Sequence, residues 1–181
     1  QETGATFEAN ATIKALSYAN QTGLACLADD SGLEVDALDG RPGVISSHYC
    51  TDGRDVGMTR EHRDHANNER LMRDMSGVPN TARTARFVCV MAVGLPADGG
   101  AGGDNSNPAI VVRGTFTGRI GRTGEVPRGT NGFGYDPLFL VGPDFVRTGA
   151  ELTLAEKSLV SHRAQAASLM IARLGVLLDS L

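Results

Sequence analysis

Two adjacent carboxylates, Asp29 and Asp30, form the part of the sequence that is best suited to chemistry. They lie between the apolar run LACLA and Gly32, in the stretch LADDSGLEVDALDG. Carboxylate oxygens are ligands that Mg²⁺ prefers, together with waters and substrate phosphates. Asp, Ser and Gly are also common turn residues. By itself, the pair is therefore compatible with a cation site and with a solvated turn.

A second stretch, GTNGFGYDP, contains three glycines around two aromatic residues, Phe133 and Tyr135. Glycine lets a backbone approach a ligand closely, and an aromatic ring can stack on a flat group. A tight turn with a packed phenylalanine is the alternative, because glycine also permits turns. The stretch thus indicates either a loop that binds a planar ligand or a structural turn.

A third stretch, KSLVSHRAQ, places cations and hydrogen-bond donors at the predicted start of a helix. The residues concerned are Lys157, Ser161, His162 and Arg163. A helix N-terminus attracts anions and polar ligand edges, and added cations strengthen that attraction. The alternative is a surface capping cluster, because serine is a common N-cap residue.

Regular elements must position these three stretches. The spacing of Phe7, Ala11, Leu16 and Ala19 predicts a helix that Thr6 caps and Gly23 ends. LACLA is predicted to be a short buried strand, and LEVDAL alternates like a half-exposed one. This assignment places DDSG in a turn at the end of a strand.

Further elements follow along the chain. ANNERLMRDM has helical spacing, and the long strands TARFVCVMAVGL and AIVVRGTFTGRI flank the hairpin loop ADGGAGGDNSNP. DPLFLV is predicted to be a short strand, T-L-A-E is a capping box, and SHR forms an elbow between two helices. Strands and helices interleave, so the predicted class is α/β with a mixed sheet.

Composition excludes several classes of protein. With 181 residues, 41% hydrophobic and 21% charged, the chain has the composition of one globular domain. No apolar run is long enough to span a membrane, and a net charge of -4 argues against a nucleic-acid-binding surface. Three cysteines without a CxxC spacing are typical of reduced thiols, so we expect a cytoplasmic location.

Taken together, DDSGL, GFGYDP and SHR at these separations are specific. The chain resembles the inosine triphosphate pyrophosphatase family, the non-canonical purine nucleoside triphosphate diphosphatases. The resemblance covers ETGATFEANATIKA, ADDSGLEVDALDGRPGV, ARFVCV, PRGTNGFGYDPLF and ELTLAEKSLVSHRAQA. It implies a mixed twisted sheet flanked by helices, two lobes around a central cleft, and a homodimer.

The resemblance also implies a reaction. Family members hydrolyse the α-β phosphoanhydride of ITP, dITP and XTP with Mg²⁺, which yields the monophosphate and pyrophosphate. Carried over to this sequence, Asp30 binds the metal and accepts the proton of the attacking water, and Glu2 is a second metal ligand. Asp29 is a helper, while Lys14 and Ser31 contact the phosphates. Lysine and serine side chains can donate hydrogen bonds to an anionic phosphate, and a carboxylate can bind a metal ion and accept a proton from water.

By the same resemblance, Phe133 stacks on the purine and six further residues surround it. These are Gly134, Tyr135, Asp136, Lys157, His162 and Arg163. The chain departs from the family at Ser46–His48, where Ser-Ser-His stands in place of the Ser-Ala-Arg that is typical of bacterial relatives. His48 therefore stands where the resemblance implies a positively charged arginine.

A second departure concerns the start of the sequence. The family begins with a strand and a Ser/Thr-Gly-Asn-x-x-Lys motif. When the shared motifs are matched, the given sequence starts after both of them, at Gln1. We therefore expect residues 1–181 to form a single pyrophosphatase domain that lacks this strand and phosphate loop. Two alternatives stay open: a Maf-type nucleotide pyrophosphatase, against which GFGYDP and SHR argue, and a nucleotide-binding module without turnover.

Overall fold

The first helix, α1, spans Phe7–Thr22 and confirms the predicted helix. A computed structural model describes residues 3–97 and 107–179, with side chains through residue 176. Thr6 caps α1 by accepting a hydrogen bond from the backbone N–H of Ala9 at 3.1 Å, and the helix ends at Gly23. Its buried face consists of Phe7, Asn10, Ala11, Ala15 and Ala19. The face is apolar except for one asparagine.

Within the described part of the chain, four strands form one sheet, and their order in the sheet is their order in the sequence. They are β1 (Cys26–Val35), β2 (Thr84–Gly94), β3 (Ile110–Ile120) and β4 (Phe139–Val141). β3 and β4 pair antiparallel, with Arg119 opposite Leu140. The two predicted long strands and the α/β class are confirmed. Most of the predicted hairpin loop ADGGAGGDNSNP lies outside the described residues.

The predicted turn at DDSG is wrong, because β1 runs through Asp29, Asp30 and Ser31 without a break. Leu27, which we expected to be buried, is 57% exposed. Turn propensity is a local preference, and pairing with a neighbouring strand overrides it. The consequence is that successive side chains of this segment point to opposite faces of the sheet.

Three further α-helices lie in the described residues: α2 (Arg60–Asp74), α3 (Leu154–Val160) and α4 (His162–Asp179). Thr153 and Glu156 form the predicted capping box of α3: Thr153 Oγ1 accepts from the Glu156 N–H, and Glu156 accepts from the Thr153 N–H. Ser161 is extended between α3 and α4, which confirms the elbow. No helix within the described residues is long and apolar enough to cross a membrane.

The chain divides into two compact units, in agreement with the two lobes that the resemblance implies. The first comprises Gln1–Ser31, Val88–Thr115 and His162–Leu181, and the second Gly32–Phe87 and Phe116–Ser161. Val93, Val112 and Met170 are buried together in the first unit. In the second unit, the ring of Phe139 lies 4.7 Å from Phe87 and 5.5 Å from Phe116, centroid to centroid. Each unit thus has an apolar cluster of its own.

Candidate active site

Asp30 is a nearly buried carboxylate that two side chains of α1 contact. Its exposed fraction is 8%. Lys14 Nζ lies 2.9 Å from Asp30 Oδ1, and Asn10 Nδ2 donates to Asp30 Oδ2 at 3.3 Å. Burying a carboxylate is costly unless it is paired and hydrogen-bonded, and both conditions are met here. The structure thus brings together two of the predicted site residues, Asp30 and Lys14.

Asn10 is a site residue that the sequence analysis missed. It is 2% exposed, and its Oδ1 accepts the backbone N–H of Gly4 at 2.8 Å while its Nδ2 contacts Asp30. Residues four apart lie on the same side of a helix, so Asn10 and Lys14 reach the same carboxylate. The available signal was a polar residue on an otherwise apolar helix face, four positions before a predicted phosphate ligand.

Asp29 and Ser31 lie on the opposite face of β1 from Asp30. Ser31 Oγ donates to Asp29 Oδ2 at 3.1 Å, and Arg163 lies 3.5 Å from the same oxygen. Cys89 Sγ is 3.9 Å from it, and burial raises the pKa of that thiol, which keeps it neutral. The structure therefore separates Asp29 and Ser31 from Asp30 and places Asp29 with Arg163 instead.

His162 and Arg163 begin α4, which packs closely against β3. A Cβ atom at Gly114 would lie 2.2 Å from the carbonyl oxygen of His162 and 2.5 Å from the N atom of Ala166. Only glycine leaves room for this approach, because real Cβ atoms do not come so close to backbone atoms. His162 is 9% exposed, whereas the side chain of Arg163 is 47% exposed. Gly114 thus fixes where both predicted site residues lie.

In the second unit, Asp136 organises the predicted base-binding loop. Its Oδ2 accepts the backbone N–H of Phe133 at 2.9 Å and lies 2.5 Å from Lys157 Nζ. Gly132 has a φ of +78°, and a Cβ atom there would lie 2.2 Å from Asp136 Oδ2. A side chain at position 132 would therefore displace the carboxylate that ties Lys157 to the loop.

Phe133 and Tyr135 have different environments although both belong to this loop. Phe133 is 53% exposed, as a stacking platform must be. Tyr135 is 4% exposed, and its hydroxyl donates to the carbonyl oxygen of Ser46 at 2.7 Å. Burial raises the pKa of the Tyr135 phenol above its ordinary value of 10.0. Tyr135 therefore anchors the loop to the core of the unit.

Removing this anchor should cost stability. We expect Tyr135→Phe to lower the free energy of unfolding by about 0.5–1.5 kcal/mol, the usual net value of one hydrogen bond. The Ser46 carbonyl still accepts from Asn67 Nδ2 at 3.3 Å, which limits the loss. Urea unfolding at neutral pH measures the difference, and Tyr18→Phe, at an exposed tyrosine, is the matched control.

The same variant should also change the dependence of stability on pH. Because the pKa of Tyr135 is higher in the folded than in the unfolded chain, its contribution is complete below about pH 10 and declines as pH rises further. The decline is about 1.4 kcal/mol per pH unit for one group. Tyr135→Phe should make the slope above pH 10 shallower by this amount. An unchanged slope would contradict the burial of a neutral phenol.

At the Ser-Ser-His departure, an arginine from α2 lies beside His48, the position at which the family resemblance implies an arginine. Arg63 Nη1 lies 3.2 Å from His48 Nε2. Ser46 is buried, and its hydroxyl accepts the Leu33 N–H at 2.9 Å while it donates to the Gly43 carbonyl at 2.5 Å. Ser46 thus has a structural role, and Arg63 supplies positive charge beside His48.

The carboxylate of Asp30 offers oxygen ligands of the kind that Mg²⁺ prefers. Within residues 3–97 and 107–179 there is no group of three or more His, Cys, Asp or Glu that could hold a metal. Mg²⁺ does not need such a group, since it is usually bound by one or two carboxylates, waters and substrate phosphates. Glu2, the other predicted ligand, lies outside the described residues.

Comparisons with known proteins agree with the motifs. A model of the Ham1 family matches residues 1–173. A dITP/XTP pyrophosphatase from Exiguobacterium sibiricum is 47% identical over 166 residues, which are 92% of this chain and 73% of that protein. One from Bacillus licheniformis is 44% identical over 179 residues, 99% of this chain and 79% of that protein.

A solved structure shares the fold. The Staphylococcus aureus Ham1 protein has a TM-score of 0.78 to this chain at 37% identity, covering 97% of this chain and 79% of that one. The resemblance inferred from DDSGL, GFGYDP and SHR is therefore confirmed at the level of family and fold.

Proposed function

The chain belongs to the Ham1 family, and on this basis we propose that it hydrolyses non-canonical purine nucleoside triphosphates, namely ITP, dITP and XTP. One P–O–P bond between the α and β phosphates breaks, water supplies the oxygen, and the products are the monophosphate and pyrophosphate. The reaction would remove deaminated purines from the nucleotide pool. The observation that carries the proposal is the nearly buried Asp30 carboxylate beside Lys14.

Asp30 is the proton acceptor in this mechanism. Phosphoanhydride hydrolysis needs little covalent chemistry from the protein, so positioning of water and balancing of charge dominate. The Asp30 carboxylate takes the proton of the attacking water, and Asn10 holds that carboxylate in place through its amide. Lys14 balances its negative charge in the free protein and contacts the phosphates when the nucleotide binds.

A magnesium ion held by Asp30 and Glu2 would neutralise negative charge on the phosphates. Ser31 is assigned to the phosphates and Asp29 to a helping role, in which its contact with Arg163 supports that side chain. Both assignments rest on the family motif DDSG. Their place on the other face of β1 makes them secondary to Asp30.

Phe133 stacks on the purine in this proposal, and polar groups at its edges select the base. The exposure of Phe133 and the ion pair of Asp136 with Lys157 support this assignment. Gly134, His162 and Arg163 complete the surroundings of the base. Tyr135 contributes by anchoring the loop, because its ring is buried.

The proposal extends to assembly and location. We propose that the protein is cytoplasmic and that it forms a homodimer, the latter because the family resemblance implies one. Cys26, Cys50 and Cys89 are all free thiols, which suits a reducing compartment. Sedimentation at micromolar concentration would test the dimer, and a monomer throughout that range would refute it.

A release assay on the full chain tests the activity. Pyrophosphate should appear from ITP and XTP and far less from ATP, and its formation should stop when EDTA removes Mg²⁺. Release that continues in EDTA would contradict the role of the metal. Preference for nucleotides other than deaminated purines would indicate a Maf-type enzyme, and binding without release a module without turnover. Neither alternative is favoured by the Ham1 match over residues 1–173.

A further inference from the structure

Three polar side chains on one face of α2 contact the loop that carries Phe133. Arg60, Asp64 and Asn68 follow one another at intervals of four residues, which places them in a row along the helix. We call these three residues the α2 row. Each of them contacts Phe133 or Gly134, and all five residues belong to the second unit.

Asp64 and Asn68 bind both peptide groups of one loop residue. The backbone N–H of Gly134 donates to Asp64 Oδ2 at 3.0 Å, and the Gly134 carbonyl accepts from Asn68 Nδ2 at 3.0 Å. Gly134 has a φ of +60°, a conformation that few other residues adopt. Two bonds to the same residue fix the peptide planes on either side of it, and with them the direction in which Phe133 leaves the backbone.

Arg60 acts on the ring itself. Its guanidinium carbon lies 4.6 Å from the centroid of the Phe133 ring, while Lys157 Nζ lies 5.9 Å from it. Arg60 Nε is also 3.9 Å from Asp64 Oδ2, so the same carboxylate that holds Gly134 steers the guanidinium. A half-exposed phenyl ring would otherwise explore several rotamers, and a cation over its face favours one of them.

Packing of the hydrophobic core does not explain the α2 row. The buried residues of α2 are Asn67 and Leu71, whereas the side chain of Asp64 is 25% exposed and that of Arg60 is 65% exposed. Half-burying a carboxylate costs free energy unless it gains a partner. For Asp64 the partners are the Gly134 N–H and Arg60, so what the row stabilises is the conformation of the loop.

We propose that Arg60, Asp64 and Asn68 are positioning residues that hold Phe133 ready to stack on the purine base. The inference rests on the proposed function in so far as Phe133 is assigned to the base. Stacking on the base is made equally in the ground state and in the transition state, so its loss raises KM and leaves kcat nearly unchanged. We expect the contacts with the phosphates to be unaffected, because Lys14 and Ser31, to which they are assigned, belong to the first unit.

Asp64→Ala is the main test. We expect its KM for ITP to rise about tenfold or more, as for loss of a hydrogen bond to a charged group, with kcat within about threefold. Asp64→Asn keeps an acceptor for the Gly134 N–H and should restore most of the affinity. Glu69→Ala is the matched control, because it removes one exposed carboxylate from the same helix.

Binding measurements separate this inference from the proposed function. By calorimetry, Asp64→Ala should weaken binding of a non-hydrolysable ITP analogue with a methylene bridge between the α and β phosphorus atoms. Binding of tripolyphosphate, which has no base, should stay the same. If the unaltered chain neither hydrolyses ITP nor binds the analogue, the proposed function fails. If it does both and Asp64→Ala leaves KM and analogue affinity unchanged, the inference about α2 fails.

Arg60→Ala provides a test that does not depend on the Gly134 bonds. Its side chain is mostly exposed, so the fold should tolerate the change, which urea unfolding verifies. Arg60→Ala should raise KM about threefold or more, and Arg60→Lys should restore part of the loss because it keeps a cation near the ring. Equal losses for the analogue and for tripolyphosphate would show a general disturbance and overturn the positioning role.

Discussion

Asp30→Asn is expected to lower kcat for ITP by about 10² to 10⁴, the usual effect of losing a general base. Asparagine has nearly the same shape as aspartate, but its amide cannot accept the proton of the attacking water. The substitution also removes the charge that pairs with Lys14 and that would hold a magnesium ion. Pyrophosphate release at saturating ITP measures the loss, and urea unfolding establishes that the chain still folds.

Asp29→Asn is the matched control, because it makes the same chemical change at the neighbouring position. Asp29 lies on the other face of β1 and contacts Arg163, so we expect a smaller effect that is mainly on KM. Near-normal pyrophosphate release by Asp30→Asn would remove Asp30 from the role of proton acceptor. An equal loss of kcat in both variants would contradict different roles for the two faces of β1.

The helices could be predicted from sequence because their signals are local. Thr6 and the capping box of Thr153 and Glu156 satisfy backbone N–H groups within three residues of themselves. The buried face of α1 likewise repeats at intervals that are visible in the sequence. Where an interaction closes over a few residues, the pattern determines the structure.

The prediction of a turn at DDSG is wrong because the structure of this segment depends on residues that are distant in the sequence. Asp, Ser and Gly favour turns when they are considered alone, but β1 continues through them in a sheet whose other strands lie far away in the sequence. The error matters for chemistry, because a turn would let Asp29 and Asp30 bind one ion. A continuous strand points them to opposite faces, so that Asp30 contacts α1 and Asp29 contacts α4.

The contacts within the candidate site could not be predicted from the motifs. The motifs predicted Asp30, Lys14 and Phe133 as site residues, but they gave no indication of the α2 row. Asn68 and the Gly134 carbonyl that it binds are 66 residues apart, and no local pattern encodes such a pair. α2 has the composition of a solvated helix, and only the folded chain reveals that one of its polar faces has partners.

ATP is expected to be a poor substrate, with kcat/KM at least about 10²-fold below that of ITP. Donors from His162 and Arg163 would meet the 6-keto oxygen of hypoxanthine or xanthine, whereas the 6-amino group of adenine would meet them donor to donor. Groups left unpaired in this way are the strongest source of rejection that a polar site has. Initial rates with ITP, XTP and ATP at equal Mg²⁺ measure the ratio.

Arg163→Ala should lower the ratio of kcat/KM for ITP to kcat/KM for ATP, since it removes a donor that the 6-keto oxygen of ITP can use and the 6-amino group of ATP cannot. The change should come mostly from a lower kcat/KM for ITP, because ATP gains nothing from the arginine. Arg173→Ala is the matched control, as it deletes an exposed arginine from the same helix. Comparable kcat/KM values for ATP and ITP in the unaltered chain would refute selection through the 6-position. If Arg163→Ala leaves the ratio of kcat/KM for ITP to that for ATP unchanged, His162 is the residue that selects the base. His162 is buried at the start of α4, which leaves it little freedom to adapt to an amino group.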